Sequence, residues 1–272
     1  MSTVATSGGP AAPAGVAGEA APLAAVPRTH HRLRDLDTRG RLVASLFAVA
    51  LLIAPLLAFA DAVPDWTPAN DPALMALRAL DVGTDRTPLT GQPSTSGHYV
   101  VGEHVDHPGA LHFYLMAIPV RLLGVALGML SVSLAIVATS LLVTAWAVFR
   151  QLGARAGVIM AVGLAAVTFT TGQASLVNPV SSNMAGYPLL CATVLCWCLA
   201  CGDVRLLPLT AAVVSFAVQQ HLSVVAAIGI VIGVMNMTGL GLRFAGVIQD
   251  VAGNSLFLSL VMMMLGSLVL GM

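Results

Sequence analysis

One carboxylate in the first third of the sequence has the setting of a general base. Asp71 stands in Asn70-Asp71-Pro72, directly before the stretch from Ala73 to Leu80, in which leucines recur at helical spacing. Asn70 or Asp71 would cap a short helix with one apolar face, and this is the structural explanation of the carboxylate. A carboxylate at such a surface can also take a proton from an acceptor hydroxyl during group transfer.

Imidazole and guanidinium groups follow in the same part of the chain. His104 and His107 flank Asp106, and the segment continues as an amphipathic stretch to Arg121. Such groups bind phosphate through charge-assisted hydrogen bonds, so His107 and Arg121 are phosphate-binding candidates. Anchoring at a membrane interface is the simpler explanation for any one of them. His104, Asp106 and His107 also have metal-ligating side chains, but no metal site and no bound cofactor is predicted.

Two polar breaks interrupt the later apolar runs. Asn178 precedes Pro179, where its amide most simply satisfies backbone groups that the proline frees. Gln219 and His221 lie between two apolar stretches, where a polar pair costs stability unless it has a partner. We therefore interpret Gln219 and His221 as candidates for contacting a polar headgroup, and include Asn178 with them.

The composition indicates the environment in which these residues act. Of the 272 residues, 57% are hydrophobic and 9% are charged, whereas about a quarter of the residues in a soluble domain are charged. The formal net charge is zero, so nothing indicates a nucleic-acid partner. The chain is predicted to contact a lipid bilayer as an integral membrane protein.

Spacing between charged residues places the membrane spans, because a charge near the bilayer centre is costly. Leu42 to Ala60 is one uncharged run, and about 20 apolar residues suffice for a crossing. The fold class predicted is an all-α integral membrane protein of about seven transmembrane helices, with a long first extracytoplasmic loop carrying short interfacial helices. The run 121–150 is long enough for one crossing, and the run 155–203 for two. The run 205–243 is predicted to form two short helices that meet at the Gln219 step, and residues 251–272 form the last crossing.

Basic residues set the predicted orientation and domain limits. Residues 1–40 are interpreted as a disordered cytoplasmic tail that ends in an arginine cluster, and residues 41–272 as the transmembrane domain. The loop at about 61–121 then lies outside, as do the two polar breaks. Ala58-Phe59-Ala60 resembles a signal-peptidase site, but the preceding leader is long, which favours an uncleaved anchor. The four cysteines, all within one apolar run, are interpreted as buried, inert side chains: Cys191, Cys196, Cys198 and Cys201.

Several short motifs resemble those of a known enzyme class. They are Trp66-Thr67-Pro68-Ala69-Asn70-Asp71-Pro72, Asp81-Val82-Gly83-Thr84-Asp85, His107-Pro108-Gly109, Asn178-Pro179 and Gln219-Gln220-His221-Leu222. In this order and topology, over about 42–238, the chain resembles bacterial membrane glycosyltransferases of the GT-C superfamily. Mannosyl- and arabinosyltransferases that use polyprenyl-phosphate sugars are of this kind.

The resemblance implies an extracytoplasmic, inverting transfer of a sugar from a polyprenyl-phosphate donor to a hydroxyl acceptor on a cell-envelope glycan or protein. It implies a bacterial plasma-membrane location, with Asp71 as the base and Arg78, Arg121 and His107 as phosphate clamp. Such enzymes usually have more helices and an outer C-terminal domain, so the chain is interpreted as truncated at its C-terminus, as an incomplete or inactive fragment. A non-catalytic membrane partner and a transporter subunit are the alternatives.

Overall fold

The structure, a computed structural model, describes Leu33 and residues 36–94 and 105–237, and these are mostly helical. The predicted disordered segment before residue 28, His104 and the predicted last span lie outside the described residues. Two-residue strands, β1 (Pro93–Ser94) and β2 (Val105–Asp106), pair antiparallel, and a 3-10 turn covers Val204–Leu206. The helices are α1 Thr38–Ala62, α2 Asp71–Asp81, α3 Leu111–Leu123, α4 Val125–Leu152, α5 Ala154–Thr171, α6 Gln173–Leu176, α7 Ser181–Ala200, α8 Leu207–Gln220 and α9 Leu222–Met237.

Polar caps and glycines separate the helices. The Asp37 carboxylate accepts a hydrogen bond from the Gly40 amide at 2.7 Å, so α1 begins at Thr38, inside the predicted basic flank. Gly124 joins α3 to α4 with φ 84°, and Gly153 joins α4 to α5 with φ 89°. A residue with a side chain rarely adopts this conformation, so each glycine permits a reversal within a single residue.

Four of these helices are long and apolar enough to cross a membrane: α1, α4, α5 and α7. They coincide with the predicted spans in 42–60, 121–150 and 155–203. α8 and α9 meet at the predicted polar step. α8, with 14 residues, is shorter than the roughly 20 needed to cross alone, and α9 is described over 16 residues up to Met237. The chain is therefore a helical membrane protein, and the count of about seven spans stays a prediction.

Helix α4 contacts most of the other spans. Val137 and Leu141 on α4 are fully buried against Leu51 of α1, Leu164 of α5 and Met184 of α7. These side chains come from four separate apolar runs, each without a marked polar face. Close packing of such side chains, rather than removal from water, holds helices together inside a bilayer.

Helix α3 folds back onto the start of α4. The reversal at Gly124 allows Val120 to approach Gly128 so closely that a Cβ atom on Gly128 would lie 2.6 Å from the Val120 Cα. Phe113 and Met116 of α3 pack in the same cluster as Met129 of α4. The close crossing therefore fixes α3, which carries residues of the candidate site.

A buried ion pair joins α4 to the connection between α7 and α8. Arg150 Nε and Nη2 donate to the two carboxylate oxygens of Asp203 at 2.5 and 3.1 Å, and Asp203 is 1% exposed. The Arg150 guanidinium also lies 5.8 Å from the Trp146 ring. Nearby, Cys198 is fully buried with Leu206 and Ala147. The prediction of buried cysteines holds for Cys191 and Cys198, whereas Cys196 and Cys201 are half-buried.

Helix α2 has one buried side and one exposed side. Met75, Ala76 and Ala79 are buried against α3 and α4, whereas the predicted leucine stripe is exposed, with Leu77 at 61%. The predicted cap is only partly correct: Asn70 occupies the N-cap position, but its side chain forms no capping hydrogen bond, and Asp71 is the first helical residue. An exposed leucine stripe beside apolar spans is the surface expected of an interfacial helix.

We expect Gly128→Ala to lower the unfolding temperature, because its Cβ would meet backbone atoms of α3 that cannot move aside. Overpacking of this kind typically costs about 1–3 kcal/mol. Gly163→Ala is the matched control, since nothing lies within 4 Å of a Cβ there and alanine favours a helix. Thermal unfolding of both variants in one detergent measures the difference. Equal unfolding temperatures would contradict the close α3–α4 crossing.

Candidate functional site

Helices α8 and α9 are separated by one extended residue. α8 ends at Gln220, His221 has φ −157° and ψ 138°, and α9 begins at Leu222. α8 starts near the Arg150–Asp203 pair and runs away from it. The polar step thus lies toward the opposite end of the bundle, as predicted.

Buried polar side chains surround this step. Gln220, the last residue of α8, is buried, and so is His107 of the loop before α3. We call the residues that gather here the polar cluster: Gln92, His107, His112, Gln219, Gln220 and His221.

The loop before α3 docks on this break through paired imidazoles. The ring centroids of His107 and His221 are 4.7 Å apart. His107 is held by its backbone, which accepts from the Gly91 amide at 2.9 Å and donates to the Gln92 carbonyl at 3.0 Å. His221 Nδ1 lies 2.7 Å from the Ser223 hydroxyl. Two predicted site residues, distant in sequence, are thus in contact.

Gln219 links α8 to the start of α3. Its Oε1 accepts from the backbone amide of Leu111 at 3.3 Å, and its Nε2 donates to the Ser215 hydroxyl at 3.1 Å. Gly109 lies against the side-chain amide of Gln219, and a Cβ at Gly109 would overlap Gln219 Oε1. The glycine of the His107-Pro108-Gly109 motif thus allows Gln219 to occupy this position, and a larger residue would displace the Gln219 side chain. Gln219 completes the first turn of α3, whose amides have no partner within the helix.

Buried polar atoms without a hydrogen-bond partner concentrate in the polar cluster. Most buried polar groups in folded proteins are paired with protein or water. Gln220 is 1% exposed and His112 is 4% exposed. Such atoms are available to hydroxyl or phosphate groups of a ligand. Among the described residues those in the cluster are Gln92 Oε1, His107 Nδ1, both ring nitrogens of His112, and Gln220 Oε1.

Burial favours the neutral form of two imidazoles in the cluster, those of His107 and His112. Desolvation lowers the pKa of His107, and the neighbouring His221 lowers it further, while Asp106 acts in the opposite direction. Burial lowers the pKa of His112 from 6.5 to about 4. The Gln220 side chain opposes this pKa shift but does not reach hydrogen-bonding geometry with the ring. Neutral imidazoles both donate and accept hydrogen bonds, which suits sugar hydroxyls as well as phosphate.

The candidate base, Asp71, is exposed at the start of α2. Among the described residues its carboxylate forms no hydrogen bond or ion pair. Asn70 before it has φ 54° and ψ −123°, a conformation that costs about 1–3 kcal/mol for a residue other than glycine. The chain thus turns sharply to present an unpaired carboxylate at the end of an exposed helix.

Arg78 lies on the same side of α2 as Asp71, almost two turns further on. Two turns correspond to roughly 10 Å along the helix axis. Helical periodicity places both between the buried side, which contains Met75 and Ala79, and the exposed leucines. Arg78 is half-buried and, among the described residues, forms no ion pair. A carboxylate and a guanidinium without ion-pair partners among the described residues therefore lie along the edge between the buried side of α2 and its exposed leucines.

Arg121 has a structural role that the sequence does not reveal. Its Nη2 donates to the carbonyls of Leu80 at 2.8 Å and Val82 at 2.5 Å, and its Nη1 to that of Ala117 at 3.0 Å. It therefore joins the C-terminal ends of α2 and α3. The two packed helices run in the same direction, so Asp71 and the polar cluster lie at the same end of this pair. Binding of phosphate by the remaining Arg121 protons stays a prediction.

The other predicted groups have local partners. Asn178 Oδ1 accepts from the Val180 amide at 3.2 Å, which closes the turn around Pro179 as the structural explanation requires. The Asp106 carboxylate accepts from the Thr90 hydroxyl at 2.7 Å. Across the part of the chain that the structure describes, no three His, Cys, Asp or Glu side chains are placed to hold a metal ion.

Three members of the cluster were not among the predicted site residues. His112 lies on the buried side of α3, Gln220 on the buried side of α8, and Gln92 directly before β1. A polar residue that falls on the buried side of an apolar helix is the available signal. This signal indicates a site only when the structure shows two such residues from distant segments side by side.

We expect acid to destabilise the protein through His112. The pKa of His112 is lower in the folded than in the unfolded protein. Its contribution to the free energy of unfolding is therefore complete above about pH 6.5 and is lost as the pH falls toward 4. At about 1.4 kcal/mol per pKa unit the loss approaches roughly 3 kcal/mol. The unfolding temperature of His112→Phe, whose ring suits the contacts with Phe113 and Phe216, should fall less between pH 7 and pH 4.5 than that of the unaltered protein. Equal decreases would contradict this.

Comparison with known proteins adds no relative to this picture: the sequence matches no protein-family model and no curated protein, and its fold matches no solved structure.

Proposed function

We propose that this membrane protein transfers a sugar from a polyprenyl-phosphate donor to a hydroxyl group of a cell-envelope glycan or protein. The motif resemblance suggests the reaction. The observation that supports it best is the position of Asp71 and Arg78, which lie about two turns apart along one edge of α2, between its buried side and its exposed leucines. A lipid-linked donor needs a base and a cation at such a boundary.

The chemistry assigns one role to each side chain. The Asp71 carboxylate accepts the proton of the acceptor hydroxyl, whose oxygen forms a bond to the sugar C1 while the bond from C1 to the phosphate oxygen breaks. The lipid phosphate leaves with the bonding electrons, and Arg78 stabilises its charge. Attack opposite the leaving group inverts C1 and needs no covalent intermediate. When the carboxylate, the reacting atoms and the guanidinium lie in line, they span roughly 10 Å. This is close to the separation of Asp71 and Arg78 along the axis of α2.

The polar cluster suits the sugar and phosphate of the donor. His107, His112 and Gln220 present buried nitrogen or oxygen atoms without protein partners, and a sugar ring offers both donors and acceptors. Gln219 and His221 hold the loop and α3 at the cluster. Specificity follows because a donor lacking a matching hydroxyl would leave these buried groups unpaired.

The proposed sidedness follows from charge. Arg39 and Arg41 precede the first span, and Arg155 and Arg205 stand at the end of the bundle that α1 enters. By the positive-inside rule this end is cytoplasmic. The N-terminus is then cytoplasmic, and α2 and the polar cluster face the outside of the bacterial plasma membrane. About seven spans complete the proposed topology.

A transporter subunit fits the described residues less well. Carboxylates of a proton-coupled path lie within the membrane. In the four described spans the one carboxylate is that of Asp61, in the last turn of α1, and Asp203 lies in the connection after α7. Neither carboxylate lies in the middle of a span. The polar groups gather instead toward one end, as transfer at a membrane surface requires.

We expect Asp71→Asn to lower kcat at least about 100-fold with little change in KM for the donor, because a general base contributes about 10²–10⁴-fold. The measurement is transfer of radiolabelled mannose or arabinose from polyprenyl phosphate by purified protein in lipid. Asp65→Asn is the matched control, since Asp65 is another exposed carboxylate of the same loop. Retained turnover in Asp71→Asn would refute the base assignment, and no turnover by the unaltered protein with either donor would refute the function.

We expect Arg78→Gln to lower kcat/KM for the donor about tenfold or more, because a hydrogen bond to a charged group contributes about 1.5–3 kcal/mol. Arg86→Gln is the control. Arg86 carries the same charge, is 77% exposed and pairs with Asp81 at 3.2 Å. The same transfer assay, run over a range of donor concentrations, separates the two variants. A similar loss in both would indicate a general charge effect instead of a phosphate contact.

A further inference from the structure

A cavity of about 710 Å³ lies at the end of the bundle opposite the polar cluster. It is enclosed by α1, α4 and α5, and Leu33 and Leu36 before α1 cover one side. Its volume falls within the roughly 300–1,000 Å³ of sites that hold small molecules. No predicted site residue lines it.

The walls of the cavity are apolar. Side chains from three helices meet there, including Phe47 and Ala48 of α1, Trp146 of α4, and Val158 and Ala161 of α5. Gly157 permits the close contact of α5 with α4, since a Cβ there would lie 2.8 Å from the Phe149 Cβ. A water-soluble ligand would gain no hydrogen bonds from such walls, whereas a hydrocarbon chain would fill them.

The rim of the cavity is basic. Arg39 and Arg41 line it at the start of α1, and both are exposed. Arg41 Nε donates to the Leu36 carbonyl at 3.0 Å, and its terminal nitrogens have no partner among the described residues. Arg39 forms no hydrogen bond or ion pair with the described residues. The nearby Asp37 carboxylate is engaged by the Gly40 amide as the cap of α1.

We propose that this cavity binds one anionic diacyl phospholipid, with an acyl chain between α1, α4 and α5 and the phosphate on Arg39 and Arg41. Apolar walls with a cationic rim match an amphiphile whose head is negative. A zwitterionic lipid would fill the walls equally well but would gain less from the arginines. Basic pockets between membrane helices at the cytoplasmic side recognise anionic headgroups in this way. The proposal does not depend on the proposed sugar transfer.

Native mass spectrometry of the purified full-length chain, incubated with phosphatidylglycerol or with phosphatidylcholine of identical acyl chains, tests the proposal. We expect one phosphatidylglycerol to be retained in preference to phosphatidylcholine. Arg39→Gln should weaken retention about fivefold, as one arginine near an anionic surface contributes about 1 kcal/mol. Ala48→Phe, which fills the cavity without changing charge, should weaken retention of both lipids.

Arg205→Gln is the matched control, because Arg205 is exposed beyond the end of α7 but does not line the cavity. Its retention of phosphatidylglycerol should equal that of the unaltered protein. Unchanged unfolding temperatures would show that the variants are folded. Equal retention of the two lipids, no retention of either, undiminished retention in Ala48→Phe, or equal losses in Arg39→Gln and Arg205→Gln would overturn the proposal.

Discussion

The absence of hydrogen-bond partners in hydrocarbon is the constraint on which the rest of this structure depends. Backbone polar groups within a bilayer must be paired inside the protein, so the apolar runs form helices and their breaks move to the two ends of the bundle. At one end Arg150 and Asp203 satisfy each other's charges almost without exposure. At the other end the break at His221 brings amides and imidazoles together, and the Asn178 turn closes the break after α5.

The same constraint explains how the candidate site is held. Gln219 pairs with the start of α3, and Arg121 pairs with carbonyls at the end of α2. Both are long side chains that satisfy helix ends across large sequence separations. Arg121 thereby fixes the C-terminal end of α2 against α3, with Asp71 and Arg78 between the buried side of α2 and its exposed leucines. Stability and the proposed chemistry therefore rely on neighbouring but different polar residues, which allows the two to be separated experimentally.

Much of the architecture could be predicted from the sequence because charges and prolines mark where apolar runs stop. The boundaries of α1, α4, α5 and α7, the break at His221 and the leucine stripe of α2 all follow from such local patterns. The reversal of α3 onto α4 could not, since it depends on how closely Val120 approaches Gly128.

Within the candidate site the sequence indicated residue types but not their partners. Arg121 was expected at a phosphate, which stays a prediction, and the sequence did not indicate that it also joins two helix ends. His112 and Gln220 had no local signal beyond being polar on an apolar helix. The pairing of Arg150 with Asp203 links positions 53 residues apart, and periodicity carries no information about contacts over that distance. The assignments of Asp71 and Arg78 stay predictions that the geometry makes specific.

The central claim is that a lipid-linked sugar binds between α2 and the polar cluster, and photo-crosslinking tests it most directly. A polyprenyl-phosphate sugar with a diazirine on the sugar would be irradiated with the protein in membranes, and labelled peptides identified by mass spectrometry. The account predicts label on peptides from the start of α2 and from the α8–α9 junction, reduced by excess unlabelled donor but not by free polyprenol. Labelling confined to other spans, or unaffected by competing donor, would contradict it.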